Sequence, residues 1–299
     1  MIAFEGFTKR FGAHTAVDAL TLRVERGEAL ALLGPNGSGK TTSLKGAAGL
    51  LRPTTGAIRL GHDRTLATDT RGRALASFLP QRVGFPEALT GREVVEFYRA
   101  LRSVPAGRTD EVLKFASLNG SGDRAVGTYS GGMVQRLGLA VAVLPDAPVL
   151  LLDEPTAALD PDGLCAFYGL VDRRKQHGQT VLFTSHQLGD VERLADRIAV
   201  VVAGRLVANL SQRELVERLA DRGVMRLLVD GADDGLLARV RTLEPRAVRA
   251  GEELVVPGPA AMRPAIIDLV RAHGATIRGL TAQEGRLDEF YRELVADRP

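Results

Sequence analysis

Nine consecutive residues, Gly34-Pro35-Asn36-Gly37-Ser38-Gly39-Lys40-Thr41-Thr42, follow the pattern G-x-x-x-x-G-K-[ST]. Glycines at that spacing let successive backbone N–H groups converge on an anion with no Cβ in the way. A helix that starts where they end turns its positive pole toward the same point. The chemistry such a loop serves is phosphate binding: Lys40 can reach the β- and γ-phosphates of a nucleotide, and the Thr41 hydroxyl can reach Mg2+. Far along the chain, Val149-Leu150-Leu151-Leu152-Asp153 is followed by Glu154. A carboxylate at the end of a buried strand can hold Mg2+ through water, which points to Asp153. Glu154 beside it can orient and deprotonate an attacking water. Alone, this acidic pair reads equally well as a turn after a core strand; with the 34–42 loop present, it reads as the other half of a phosphoryl-transfer site.

Elements that end at one place must position these groups. Ala29–Leu33 is a short apolar run without alternation, as expected for a strand buried on both faces, and it feeds the glycine loop directly. A helix is predicted from the loop to about residue 51, followed by turn chemistry at 52–56. Val149–Asp153 and Thr180–Thr184 are further buried strands, Arg197–Val202 another, and 163–176 and 188–195 have helical spacing. Segments 2–4 and 20–24 alternate like half-buried antiparallel strands. Between residues 90 and 129 no buried-strand run occurs, while Gly91–Leu101 and 109–118 are helical, which makes this stretch a helical insertion. The fold class is therefore α/β: a P-loop NTPase core with a mostly parallel sheet, an antiparallel β subdomain and the insertion. After Gly223 the pattern becomes β-α-β-β-α-β-α, a small ferredoxin-like α+β domain. The expected domains are 1–222 and 223–299.

The chain also resembles the ATP-binding cassette (ABC) family. Tyr129-Ser130-Gly131-Gly132-Met133 followed by Gln135-Arg136 is similar to the family's signature sequence. Asp153-Glu154-Pro155-Thr156, Ala158-Leu159-Asp160-Pro161 and Ser185-His186 match its later motifs in order. Phe78-Leu79-Pro80-Gln81 looks like its glutamine loop, and Phe11-Gly12 stands where the family places an aromatic that stacks on adenine. The likeness covers about residues 1–210. It implies an ATPase with ATP and Mg2+ as cofactors, bound by residues 34–42 and by Phe11. It further implies that Ser130, Gly131 and Gly132 close on the γ-phosphate held by a second copy of the chain, and that Asp160 crosses to that copy's phosphate loop. Gln81 would reach Mg2+ and the attacking water, and His186 the γ-phosphate. Read without the resemblance, Phe11 is an edge or core aromatic and His186 a surface or packed histidine. Three positions depart from the common pattern: Tyr129, Met133 and Phe11 stand where Leu, Gln and Tyr are more usual.

Composition narrows the partners. The formal charge of +3 and pI of about 9.2 come from scattered arginines, with no basic run of the kind that grips nucleic acid, so no nucleic-acid partner is expected. The single cysteine, Cys165, excludes an intrachain disulfide and reads as helix packing. No His pair has ligand spacing, which leaves a structural zinc site without support, and His14, His62, His177 and His273 read as structural or exposed. Residues 1–10 lack the apolar core of a signal peptide, and the apolar stretches 139–144 and 149–152 are too short to span a bilayer. Any membrane-spanning part must come from a separate multi-span permease, with this chain peripheral on the cytoplasmic face. The ending Gly285-Arg286-Leu287-Asp288-Glu289-Phe290-Tyr291 is similar to that of ATPases serving separate exporter permeases. Within that group, Gly91-Arg92-Glu93 and 129–140 resemble subunits of the copper supply for nitrous oxide reductase. The alternative readings are a soluble ABC ATPase acting on ribosomes or DNA, which usually carries paired cassettes or coiled-coil arms not seen here, and a non-transport regulatory cassette.

Overall fold

The computed structural model describes residues 1–157 and 159–296; Ala158, quoted above with Leu159-Asp160-Pro161, lies outside the described residues. The chain packs as two compact units, Met1–Asn209 and a second that begins at Leu210. The strands of the first are β1 (Ile2–Phe11), β2 (His14–Val24), β3 (Ala29–Leu33), β4 (Thr55–Leu60), β5 (Thr65–Leu66), β6 (Ala76–Leu79), β7 (Val149–Asp153), β8 (Thr180–Thr184), β9 (Arg197–Val202) and β10 (Arg205–Ser211), which carries the chain across the boundary. Its helices are α1 (Lys40–Ala47), α2 (Thr70–Leu75), α3 (Gly91–Leu101), α4 (Arg108–Phe115), α5 (Gly131–Val143), α6 (Pro161–Gln176) and α7 (Leu188–Leu194).

One sheet runs in the order β10-β9-β3-β8-β7-β6, with β9, β3, β8, β7 and β6 paired in parallel. In β3, β7 and β8 every residue is buried, the consequence of covering both faces and the reason their sequences do not alternate. A second, antiparallel sheet has the order β2-β1-β4-β5, and its inner residues Ile2, Phe4, Phe7, Leu20 and Leu22 share one core with Leu30, Leu32, Leu151 and Leu182. β1 and β2 extend well beyond the segments 2–4 and 20–24. Register shifts after Phe4, Phe7 and Lys9 break the two-residue period, so alternation is lost while pairing continues. The first helix ends at Ala47 rather than near residue 51, because Gly49 takes φ 71° and the Leu50 N–H returns to the Lys45 carbonyl, a left-handed stop. In the insertion, α3 is fixed by a reciprocal cap between Thr90 and Glu93, and a single 3-10 turn, Val126–Thr128, leads to α5.

The second unit comprises α8 (Gln212–Ala220), β11 (Val224–Asp230), α9 (Asp234–Arg241), β12 (Val248–Ala250), β13 (Glu253–Pro257), α10 (Arg263–Ala272), β14 (Thr276–Gln283) and α11 (Leu287–Ala296). Its antiparallel sheet is ordered β12-β13-β11-β14, the ferredoxin-like arrangement. Met225, Leu227, Val229 and Leu254 pack there with Leu236, Val240, Ile266 and Val270 from α9 and α10. α8 precedes the compositional change at Gly223 yet belongs to this unit. No helix among the described residues is long and apolar enough to cross a membrane.

Candidate active site

β3 delivers the chain to Gly34, and the loop closes at Gly39, the residue before α1, with φ 101°. A Cβ at Gly39 would stand 2.4 Å from the Ala16 carbonyl oxygen, so both the backbone angle and the space demand glycine. Lys40 opens the helix almost wholly buried and donates from Nζ to the carbonyls of Gly34 (2.7 Å) and Pro35 (3.1 Å). Burial pushes the Lys40 ammonium below its usual pKa, and the Glu154 and Asp153 carboxylates draw it partly back. Ser38 Oγ is buried in the same cradle without any hydrogen-bond partner. A buried hydroxyl left unmatched costs about 1–3 kcal/mol, and here it lies beside amides and an ammonium that also favour anionic oxygen. These features fit a nucleotide's phosphates.

The parallel register of β7 and β8 sets Asp153 level with Thr184. Asp153, 1% exposed, accepts the Thr184 hydroxyl on Oδ1 at 2.7 Å and the Thr41 hydroxyl on Oδ2 at 2.7 Å. The hard oxygens of Thr41 and Asp153 are thus side by side at the end of the phosphate loop, a donor set that fits Mg2+. Glu154 follows with φ 54°, a conformation that costs a residue with a Cβ about 1–3 kcal/mol and persists only where surroundings hold it. One hold is its own N–H, which donates to Thr184 Oγ1 at 3.0 Å. Its carboxylate lies 2.8 Å from His186 Nε2. Thr184 therefore serves both acidic residues, and the sequence reading did not single it out. The only sequence signal is a hydroxyl closing a buried strand just before Ser185-His186; the register that makes it matter is a long-range fact.

A cleft of about 500 Å³ brings together Phe11, His14, Ala16, residues 36–42, Gln81 and Glu154. Phe11 is half exposed at its edge, with Lys9 Nζ 5.1 Å from the ring centroid. His14, read from sequence as structural or exposed, is exposed and lines this cleft. Ser130, Gly131, Gly132 and Asp160 do not line it. Ser130 caps α5 by accepting the Met133 N–H at 3.3 Å, so Met133 contributes its amide where a Gln would also offer a side chain. Ser130 and Gly131 are exposed at the helix start. Asp160 caps α6 through the Gly163 N–H at 2.8 Å and pairs with Arg136 of α5 at 3.3 Å. Tyr129 turns away from solvent: its hydroxyl donates to the Ser121 carbonyl at 2.7 Å, and burial raises its pKa.

The model of the family described as ABC transporter matches residues 17–157. A daunorubicin resistance ATP-binding protein of Streptomyces coeruleorubidus is 34% identical, over 99% of this chain and 96% of its own. A Nod factor export ATP-binding protein of Burkholderia lata is 36% identical over 72% of each chain. Among solved structures, a dimeric ATP-binding cassette in a post-hydrolysis state bound to ADP and Pi is 27% identical, with a TM-score of 0.66 over 71% of this chain and 99% of that one. These relatives are named for drug resistance and Nod factor export, so the finer likeness to a copper-supply subunit finds no support and is set aside. With the glycine cradle, the Asp153–Glu154 pair and near full-length similarity in agreement, the chain belongs to the ABC transporter family, among its ATP-binding subunits.

Proposed function

We propose that this subunit binds ATP with Mg2+ in the 34–42 cleft and hydrolyses it there, in a head-to-tail dimer that drives a separate membrane permease. The observation that carries this reading is the convergence of Lys40, Thr41–Asp153 and the Glu154–His186 pair at the ends of adjacent strands. Residues 34–42 would hold the phosphates and Phe11 the adenine, with Thr41, Asp153 and Gln81 around Mg2+, which when bound supplies positive charge to the β- and γ-phosphates. Glu154 takes a proton from the attacking water as the water oxygen bonds to the γ-phosphorus and ADP leaves. His186 orients the Glu154 carboxylate and faces the γ-phosphate.

Ser130 and Gly131 are exposed at a helix start outside their own cleft, which supports the use of the 130–132 amides on the ATP of a second copy; Asp160 would cross the same interface. A permease helix has a candidate seat in a groove of about 290 Å³ lined by Leu50, Phe78, Tyr98 and Leu101. Leu50 and Leu101 are 60% and 66% exposed, which suits a partner's apolar ridge better than open solvent. That seat would hold the chain on the cytoplasmic face of the membrane. In domain terms, the part expected from sequence as 1–222 would be the ATPase, less α8, which packs with the second unit, and 223–299 would be an accessory, regulatory part.

The test is a pair of substitutions. Glu154→Gln is expected to bind ATP normally and lose steady-state phosphate release, whereas Lys40→Ala loses affinity for a fluorescent ATP analogue. Ordinary turnover in the Glu154→Gln protein would sink the assignment of the base.

A further inference from the structure

Asp190 lies in α7 at 2% exposure and accepts three hydroxyls. Thr156 Oγ1 donates to Oδ2 at 2.5 Å, and Ser185 Oγ donates to the same oxygen at 2.9 Å, nearer than its other acceptor, the Gln187 carbonyl at 3.2 Å. Tyr168 Oη donates to Oδ1 at 2.6 Å. Thr156 and Ser185 are themselves 4% and 6% exposed. Among the described residues no cation forms an ion pair with Asp190, so hydroxyl donors alone hold this carboxylate out of water.

The three donors come from three separate pieces of chain. Thr156 is on the loop after β7, two residues beyond Glu154; Ser185 is on the loop after β8, immediately before His186; Tyr168 is on α6. One carboxylate oxygen therefore ties together the two loops that carry Glu154 and His186. The other anchors them to α6. Glu154 is held upstream by Thr184 and downstream through Thr156, which is the over-determination that its left-handed backbone requires. Tyr168 is a dependable donor: burial first, and the bond to Asp190 next, push its phenol up to about 12. Arg193 lies over its ring at 5.8 Å and is itself bonded to Asp172, which fixes the ring from outside.

We propose that Asp190 is a positioning residue for hydrolysis, holding the Glu154 and His186 loops in register so that its loss lowers turnover without loosening nucleotide binding. The inference rests on Glu154 as the base. Among the described residues, none of the side-chain hydrogen bonds of Asp190, Thr156, Ser185 or Tyr168 reaches residues 34–42, so affinity and chemistry should separate.

The test measures kcat and the equilibrium affinity for ATP on the full chain assembled with its permease, for Asp190→Ala, Thr156→Val and Tyr168→Phe, with Glu154→Gln alongside. Asp190→Ala is expected to lower kcat about ten- to a hundredfold, the scale of a misplaced reacting group. ATP affinity is expected to stay within about threefold. Thr156→Val removes one donor without changing shape and decides the matter should Asp190→Ala not fold; it too should lower kcat selectively. Tyr168→Phe leaves the two loops tied to each other and should cost less than Thr156→Val. Unchanged kcat in both Asp190→Ala and Thr156→Val, or a loss that lies wholly in affinity, overturns the proposal. Retained turnover in Glu154→Gln overturns the base assignment instead, so the two failures are separable.

Discussion

Thr184 is the most informative single atom to remove. Its Oγ1 donates to the buried Asp153 carboxylate and accepts the Glu154 N–H, and the residue is 0% exposed. Thr184→Val keeps the shape and replaces that oxygen with a methyl group. Losing a hydrogen bond to a charged acceptor costs about 1.5–3 kcal/mol, and leaving the Glu154 N–H unmatched about 1–3 kcal/mol more. Burying the added methyl returns about 0.8 kcal/mol. The net loss is about 2–5 kcal/mol, with Thr41 left as the side-chain donor to Asp153 among the described residues. The chain has no tryptophan and two compact units, so a global optical transition would mix both. Amide hydrogen exchange read on β7 and β8 isolates the first unit. At 1.36 kcal/mol per tenfold, those amides should exchange about 30-fold to several thousandfold faster in the nucleotide-free variant. Thr184→Ser, which keeps the hydroxyl, should lose much less. A change below about threefold in Thr184→Val would refute the reasoning, since it would mean that the double hydrogen bond carries no net weight.

Tyr168 gives a titration test. Its folded pKa of about 12 exceeds the free value of about 10, so its contribution to stability is complete below pH 10 and is lost as pH rises through 12. The phenolate absorbance difference between the parent chain and Tyr168→Phe should therefore have its midpoint near 12; a midpoint near 10 would contradict the buried bond to Asp190. Gly91 probes the departure at Tyr129: a Cβ there would lie 2.3 Å from the Tyr129 hydroxyl, which is fixed on Ser121. Gly91→Ala should destabilise the insertion by about 1–3 kcal/mol, and by clearly less when combined with Tyr129→Phe. Additive losses in a thermal or exchange measurement of that double-mutant cycle would show that the two positions do not press on each other.

The legible parts of this protein are those where one local rule acts alone. β3, β7 and β8 carry their burial in their composition, and the glycine loop carries its geometry in its spacing, because neither depends on a partner far along the chain. β6 was obscured by its brevity, and the long ends of β1 and β2 by bulges that cancel the two-residue period. Lys40, Thr41, Glu154, Gln81 and Phe11 line one cleft, Asp153 is bonded to Thr41, and Glu154 meets His186 directly. His14, Thr184 and Asp190 were not legible. Thr184 and Asp190 act through neighbours brought to them by sheet register and helix packing, and His14 reaches the cleft through the β1–β2 turn; a lone hydroxyl, imidazole or carboxylate carries no sign of that in its own sequence neighbourhood.

The hydrogen bonds divide the chemistry unevenly. The phosphate loop and Glu154 line one cleft, while Asp153 accepts hydroxyls from Thr41 and Thr184, and Asp190 from Thr156, Ser185 and Tyr168. The Ser130 helix start lies outside that cleft and stays exposed, while the nearby Asp160 is engaged with Arg136 and the start of α6. In the proposed dimer, a second copy brings its exposed Ser130 amides to the face of the γ-phosphate that Lys40 leaves open. The base is then pre-positioned in each chain, and what association adds is charge stabilisation on the far side of the phosphate. Such an arrangement lets each subunit hold ATP alone and confines fast hydrolysis to the closed pair, since the costly ordering of Glu154 is already done before the partner arrives.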